Sequence, residues 1–145
     1  MIFSRLSLGL AAPLALALAA SSAHAASVEG DWLTPKGGAK VHIADCGAKL
    51  CGTITWLKNP NDKTGRPQKD AYNPDPALKT RPVIGLQILR GLKASGDARW
   101  SGGSIYNPGD GKTYDSKMNL DPSGELKVQG CVSIICITQI WTRAS

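Results

Sequence analysis

Four cysteines stand in two pairs of the form Cys-x4-Cys, one early in the chain and one near its end. Cys46 pairs with Cys51 and Cys131 with Cys136 in our preferred arrangement, because each pair spans a short stretch between two strand-like runs. Four cysteines in an oxidising compartment allow three pairings, so crossed bonds between the two ends are the alternative. A four-cysteine zinc site is less favoured, because such a compartment promotes disulfides.

The first 25 residues have the parts of a secretory signal peptide. Arg5 supplies the positive n-region, residues 6–20 are nearly unbroken Leu and Ala, and an A-x-A cleavage site ends at Ala25. We therefore expect a mature single domain, residues 26–145, in the periplasm or outside a bacterial cell. An uncleaved membrane anchor is the alternative, but the apolar run is shorter than the ~20 residues a spanning helix needs.

The mature chain carries a mild positive charge. The full sequence has 17 basic and 11 acidic residues, a net charge of +6, and loss of Arg5 leaves +5. The basic residues are scattered along the chain, and no run of them suggests nucleic acid as a partner. The charge suits an anionic component of the cell envelope, but a solvated surface is the preferred interpretation.

Apolar and polar residues alternate almost throughout the mature chain, as in half-buried strands. Leu50, Gly52, Ile54 and Trp56 share one predicted face, for example, and Gly- or Pro-containing turns separate the runs. The pattern predicts an all-β fold, a single antiparallel meander that closes into a small barrel and so removes its exposed edges. About eight strands are predicted, near 29–34, 39–45, 50–57, 82–92, 97–106, 112–120, 124–131 and 136–143.

Residues 58–81 interrupt this rhythm with four prolines and many charged residues. A loop of this length in a compact domain is functional or mobile. The segment is interpreted either as a lid over a barrel mouth or as a solvated connector. A short helical turn is predicted at residues 76–79, where Pro76 suits a helix N-terminus.

Catalytic residues are hard to find in this sequence. His42 is the only histidine of the mature chain, and it lies on the polar face of a predicted strand. Asp70 and Asp75 allow a carboxylate-dependent hydrolase as a minor alternative, although loop acids are usually solvated or cap backbone groups. We expect no enzyme, no cofactor and no metal site.

The four tryptophans, residues 32, 56, 100 and 141, all lie in predicted strands of a mature chain that has no Phe. Their rings are expected to form much of the core, or else to line a cavity for an apolar ligand. Gly30-Asp31-Trp32 begins the first strand and Trp141-Thr142-Arg143 ends the last. This resembles the calycin (lipocalin-like) arrangement, which implies that Arg143 covers Trp32 and ties the chain ends together.

Ordered sequence blocks extend a second resemblance over nearly the whole mature chain. The chain is similar to the bacterial exported family called domain of unknown function 2147, which implies a small secreted β-barrel and brings no catalytic residue. The blocks are Gly30-x-Trp32, Cys51-Gly52-Thr53-Ile54-Thr55-Trp56-Leu57, Asp70 with Asn73-Pro74, Arg81-Pro82-Val83-Ile84-Gly85-Leu86, Gly102-Gly103-Ser104-Ile105-Tyr106-Asn107-Pro108, Asp110-Gly111-Lys112-Thr113-Tyr114, Leu126-Lys127-Val128-Gln129-Gly130-Cys131 and Trp141-Thr142-Arg143.

Two functions remain in competition. The first is a non-enzymatic barrel that binds a small apolar or amphipathic molecule, because an eight-stranded barrel can just hold one small ligand. The second is an envelope protein-interaction module whose barrel is filled by its own side chains. The residues predicted to bind a ligand or to form the mouth are Trp56, Asp70, Tyr72, Asn73, Arg81, Trp100, Tyr106 and Tyr114.

Overall fold

Eight antiparallel strands form a closed barrel in the computed structural model, which describes residues 27–145. The predicted fold class is confirmed, whereas the predicted signal peptide lies outside the described residues. Within residues 27–145, no helix has the length and apolar character needed to cross a bilayer. The strands are β1 Gly30–Leu33, β2 Ala39–Asp45, β3 Leu50–Leu57, β4 Gln87–Gly96, β5 Arg99–Asn107, β6 Lys112–Leu120, β7 Leu126–Val132 and β8 Ile135–Arg143.

Each strand pairs with the next, and β1 pairs with β8 to close the barrel. This last seam is short, because its register contains only Trp32 opposite Arg143 and Leu33 opposite Thr142. After Leu33 the chain turns into a 3₁₀ helix, Pro35–Gly37. In the described chain, residues 135–141 of β8 therefore have no partner in β1, and the 3₁₀ helix contacts β8 in place of a strand.

The core lies inside the barrel and is mainly aliphatic. Alternate residues of each strand point inward, so that Leu126 and Val128 of β7, for example, are both buried. The other deeply buried apolar side chains come from six strands and the approach to β4. They are Trp32, Val41, Ile43, Ile54, Val83, Leu86, Ile88, Leu89, Leu92, Met118, Leu120 and Trp141, and Val28 of the segment before β1 is buried with them.

Both predicted disulfides, Cys46–Cys51 and Cys131–Cys136, are present. The first joins the ends of β2 and β3 across their turn, and the second joins directly opposed residues of β7 and β8. No free cysteine occurs among residues 27–145. The crossed pairing is therefore wrong, since each bond staples one hairpin.

The predicted first residue of β4 was wrong. The strand begins at Gln87, not at residue 82, because residues 82–86 form a turn. Val83 donates its backbone N–H to Gln68 O, Leu86 donates to Val83 O, and Gly85 has a φ of +94°. Ile84 is therefore exposed and does not share an inward face with Leu86.

The expectation that the tryptophans form much of the core is correct for Trp32, for Trp141 and for the partly buried Trp100, which packs against the core. Trp32 and Trp141 are buried, but Trp56 is 42% exposed. The register shifts in the β2–β3 pairing, where Lys40 faces Trp56 and Val41 faces Ile54. The extra residue, Thr55, reverses the alternation, so that Trp56 points outward under Lys40, whose Nζ lies 5.6 Å from its ring centroid.

Candidate functional site: an apolar cavity at the barrel mouth

The up-and-down order of the strands gives the barrel two different ends. The β1–β2, β3–β4, β5–β6 and β7–β8 connections lie at one end, which we call the mouth end. The β2–β3, β4–β5 and β6–β7 turns lie at the other, called here the closed end, together with the segment that precedes β1.

The segment before β1 folds across the closed end and is held there by Trp32 and Arg143. The Arg143 guanidinium carbon lies 4.1 Å from the Trp32 ring centroid. The guanidinium donates to the carbonyl oxygens of Glu29 and Ser27, each at 2.8 Å. Trp32 Nε1 donates to Val28 O, also at 2.8 Å, and Val28 is buried. These bonds satisfy backbone carbonyls that would otherwise be left unpaired near the core.

Gly30 is required beside this pair for two reasons. Its φ is +120°, a conformation that side chains disfavour. A Cβ atom at this position would also lie 3.0 Å from Arg143 Nη1. Gly30, Trp32 and Arg143, the residues predicted for barrel closure, are thus brought together at one point.

A cavity of about 490 Å³ occupies the barrel interior toward the mouth end. It is lined mainly by aliphatic and aromatic carbon. The apolar lining comes from Pro35, Ala39, Val41, Ile54, Leu57, Val83, Ile88, Ile105, Pro108, Val128, Ile137 and Trp141. Side chains therefore fill the barrel toward the closed end and leave this space toward the mouth end.

Polar groups are confined to a few positions of the lining, among them Tyr106, Asp110, Tyr114 and Gln139. Tyr114 Oη donates to Asp110 Oδ2 at 2.5 Å, and Trp141 Nε1 donates to Gln139 Oε1 at 2.9 Å. The bond from Tyr114 lowers the pKa of Asp110, and the same bond raises the pKa of Tyr114. Tyr106, Asp110 and Tyr114 place hydroxyl and carboxylate groups at the rim of the apolar cavity, which suits a molecule with one polar end, whereas the Gln139 amide lies deeper, opposite Val128.

The cavity also reaches the wall beside the short β1–β8 seam. Thr34 and Pro35 line it from the β1–β2 side, and Ile137 and Gln139 line it from the unpaired part of β8. The cavity wall on this side is therefore formed by the 3₁₀ helix and β8 instead of by a pair of strands.

The long β3–β4 connection is anchored by a buried carboxylate, Asp70. Its Oδ1 accepts from Tyr106 Oη at 2.6 Å, and its Oδ2 accepts from Asn73 Nδ2 at 2.9 Å and Arg81 Nε at 2.8 Å. Burial opposes ionisation, but the bonds from Tyr106, Asn73 and Arg81 outweigh it and hold the pKa of Asp70 below its ordinary value. Burial and the bond to Asp70 raise the pKa of Tyr106.

This burial corrects the expectation that loop acids are solvated. Asp70 ties residues of the connection to Tyr106, a cavity-lining residue of β5. The connection also lies against the β5–β6 turn. A Cβ atom on Gly111 would collide with the Tyr72 carbonyl, and Gly111 has a φ of +71°. The predicted helical turn is present as a 3₁₀ helix, Pro76–Leu78, capped by Asp75, which accepts from Ala77 N.

The structure separates the eight predicted mouth residues into three groups. Tyr106 and Tyr114 line the cavity. Asp70, Asn73 and Arg81 hold the connection in place, and the Tyr72 side chain beside them is exposed. Trp56 lies on the outer wall, and Trp100 lies near Val28 and Leu92 at the closed end.

Sequence reasoning missed Ile137 and Gln139 as lining residues. The sequence does contain a signal for them, because two-residue alternation places both on the same inward face of β8 as the buried Trp141. The cavity, however, depends on the missing β1 partner, which the sequence does not indicate.

Asp70 and Asp75 are not arranged as a catalytic pair of carboxylates. Asp70 is buried with both oxygens engaged, and Asp75 is exposed and caps a helix. His42 is exposed, with its Nδ1 2.7 Å from Asp31 Oδ1. Among residues 27–145, no cluster of three His, Cys, Asp or Glu residues could hold a metal ion.

Comparison with known proteins agrees with this architecture. A family profile described as "Uncharacterized protein conserved in bacteria (DUF2147)" matches residues 30–143. The chain belongs to this family. The residues matched to DUF2147 begin at Gly30, the first residue of β1, and end at Arg143, the last residue of β8. They therefore include every described strand and both disulfides. No curated protein matches the chain.

A solved structure resembles this DUF2147 barrel. It is described as "Protein HP1028 from the human pathogen Helicobacter pylori belongs to the lipocalin family". The TM-score is 0.72 at 24% sequence identity, over 82% of this chain and 84% of that one. At this identity the likeness shows the fold alone, a lipocalin-like barrel.

Proposed function

We propose that the protein binds a small apolar or amphipathic molecule in the cell envelope, without catalysing a reaction on it. The observation that carries the proposal is the open cavity of about 490 Å³ with an apolar lining. Cavities of roughly 300–1,000 Å³ with such walls are typical of small-molecule sites. Removal of the ligand's apolar surface from water would supply most of the binding free energy.

The distribution of polar groups favours an amphipathic ligand with its polar end at the rim. Tyr106, Asp110 and Tyr114 offer donors and acceptors there, whereas Val41, Ile54 and Val128 contribute apolar walls. A fatty acyl chain with a hydroxyl or amide head group fits this pattern. A bare carboxylate head group is less suitable next to Asp110, because two like charges repel.

The envelope location is part of the same proposal. Two disulfides in a small domain are typical of an oxidising compartment. Cleavage of the predicted signal after Ala25 would release a soluble chain that begins at residue 26 into the periplasm or the medium.

The alternative, an interaction module with a filled barrel, is less favoured because of the cavity. A surface role is nevertheless supported by one feature, the exposed apolar tip of the β7–β8 hairpin, which is treated below. The hydrolase alternative is disfavoured because the oxygens of Asp70 are already bonded to Tyr106, Asn73 and Arg81.

The test is native mass spectrometry of the protein purified from the bacterial periplasm, followed by organic extraction. We expect a chain that starts at Ala26, four hydrogens lighter than the reduced form, and a co-purifying molecule with an apolar chain.

The second test is a calorimetric titration of the delipidated protein with dodecan-1-ol. We expect saturable one-to-one binding with a negative heat-capacity change, the marker of apolar burial. An apo mass together with no binding of the alcohol would contradict the proposal.

A further inference from the structure

We propose that the tip of the β7–β8 hairpin docks the protein on the surface of an anionic phospholipid bilayer, with the barrel mouth facing the lipid. The tip is unusually apolar for an exposed turn. Ile134 is 93% exposed and Ile135 is 75% exposed, and Val132 and Ile137 are exposed beside them. Contiguous apolar surface of this kind marks an interaction site.

The apolar tip is continuous with the cavity lining. Val132 and Ile135 are register partners, and Ile137 faces Gly130 two pairs further along the hairpin. Two-residue alternation places Val132, Ile135 and Ile137 on the inward face, and Ile137 lines the cavity itself. An apolar strip of Val132, Ile135 and Ile137 therefore leads from the end of the hairpin to the ligand cavity.

The disulfide Cys131–Cys136 holds this tip in an extended form. It joins the register pair next to Val132 and Ile135, on the opposite face of the hairpin. Ser133 completes the turn with a φ of +54°. The disulfide restricts the conformations of the turn, so that the turn cannot easily fold back and bury its own isoleucines.

The charge of the protein is concentrated at the same end of the barrel. The four mouth-end connections with their flanking residues, 33–39, 57–87, 107–112 and 132–135, contain eight basic and four acidic residues. The rest of residues 27–145 contains eight basic and seven acidic residues, and is nearly balanced. The basic residues of the mouth end are Lys36, Lys58, Lys63, Arg66, Lys69, Lys79, Arg81 and Lys112.

Apolar and basic groups at one end favour a bilayer over a protein partner or a second copy. A net positive end opposes contact with the same end of another copy, because like charges repel. Anionic lipid head groups attract it, and the isoleucines can enter the boundary between head groups and acyl chains. This docking goes beyond the proposed ligand binding and does not require an occupied cavity.

The experiment is flotation of the mature protein with vesicles, using delipidated protein. Vesicles of phosphatidylglycerol with phosphatidylethanolamine are compared with vesicles of phosphatidylcholine. We expect binding to the anionic vesicles, weaker binding to the neutral ones, and weakening by added salt, which screens exposed charges.

A double variant, Ile134→Ser with Ile135→Ser, tests the tip. We expect its affinity for the anionic vesicles to fall about tenfold or more, because two apolar side chains no longer enter the lipid. The control is Ile140→Ser, since Ile140 lies in the same strand and is exposed, but faces outward opposite Lys127 on the barrel wall. Circular dichroism and the non-reduced mass verify that each variant is folded.

Three results would overturn the docking proposal. The first is absence of wild-type binding to the anionic vesicles, and the second is unchanged binding of the double variant. The third is a wild-type dimer in light scattering that the double variant converts to a monomer, which would make the tip a contact between copies.

Discussion

Arg143 covers the buried ring of Trp32 with its guanidinium carbon 4.1 Å from the ring centroid. The two residues are also register partners at the β1–β8 seam, where the barrel closes. One contact thus joins the first strand to the last and holds the segment before β1 across the closed end. The mouth end has no equivalent seam in the described chain, and the cavity opens there.

This contact predicts a measurable coupling between Trp32 and Arg143. Trp32→Ala should lower the free energy of unfolding by about 3–5 kcal/mol, because it leaves a large void in the core. Arg143→Ala should cost less, and the double variant should cost about 1–2 kcal/mol less than the sum of the two. Urea denaturation of the wild type, the two single variants and the double variant gives a double-mutant cycle. Simple additivity of the two losses would contradict direct coupling.

The buried carboxylate predicts an acid-sensitive stability. Because the folded pKa of Asp70 is depressed below 3.8, its ionised form contributes stability above the unfolded pKa. That contribution is lost as the pH falls through the folded value. Asp70→Asn should lower the free energy of unfolding by about 3–5 kcal/mol near neutral pH, because Arg81 loses its partner, and should flatten the profile below about pH 4.

Asp75→Asn is the matched control for Asp70→Asn. Asp75 is an exposed acid in the same connection, and Asn is an equally good N-cap, so the unfolding free energy should change by less than about 0.5 kcal/mol. The measurement is urea denaturation from neutral pH down to the acid limit of the folded state. An acid profile for Asp70→Asn that matches the wild type would contradict the assigned role.

Gly111 is predicted to be essential for packing of the β3–β4 connection. Gly111→Ala combines a positive φ with a collision against the Tyr72 carbonyl, and should cost about 2 kcal/mol or more. Gly65→Ala is the control, because Gly65 also has a positive φ but meets open space, and should cost about 1 kcal/mol.

Limited proteolysis provides a second measurement for the glycine variants. Cleavage within residues 58–81 should be faster in Gly111→Ala, because the connection is displaced from the β5–β6 turn. The Gly65 variant should be cleaved at close to the wild-type rate, and equal stability losses in both variants would contradict the packing argument.

Ligand binding in the cavity predicts a specific effect of Ile105→Trp. The larger ring would occupy part of the space that Ile105 lines, and the affinity for dodecan-1-ol should fall about tenfold or more. Ser104→Trp is the control, because the neighbouring side chain of β5 points to the opposite face of the strand. Calorimetric titration of both variants measures the difference, and equal affinities would place the ligand outside the cavity.

The sequence was sufficient for the parts of the fold that depend on local pattern. Alternation around Val41, Ile43, Leu126 and Val128 located strands correctly, because the side-chain period of a strand is two. Both Cys-x4-Cys pairs predicted stapled hairpins, because a short loop between strands brings its two ends together. The first residue of β4 was missed, because Val83 and Gly85 bond to distant parts of the chain, Gln68 and Ile54.

The candidate site was predicted less well, because it depends on long-range pairing. Trp56 was assigned to the interior by alternation alone, and one bulged residue, Thr55, turned it outward. Asp70 is not distinguished from other loop acids in the sequence, since its partner Tyr106 lies 36 residues away. The basic residues appear scattered along the chain, and only the up-and-down topology collects them at the mouth end.

The all-β class, the approximate number and place of the strands and the two disulfides could be read from the sequence. These follow from side-chain periodicity, turn chemistry and cysteine spacing, which act over a few residues, whereas the closing pair was implied by the resemblance to the calycin arrangement. The fold in three dimensions was needed to show that a cavity lies toward the mouth end, that Ile137 and Gln139 line it, and that Asp70 is buried. These features depend on strand register and on the short β1–β8 seam, which are set by contacts between residues far apart in the chain.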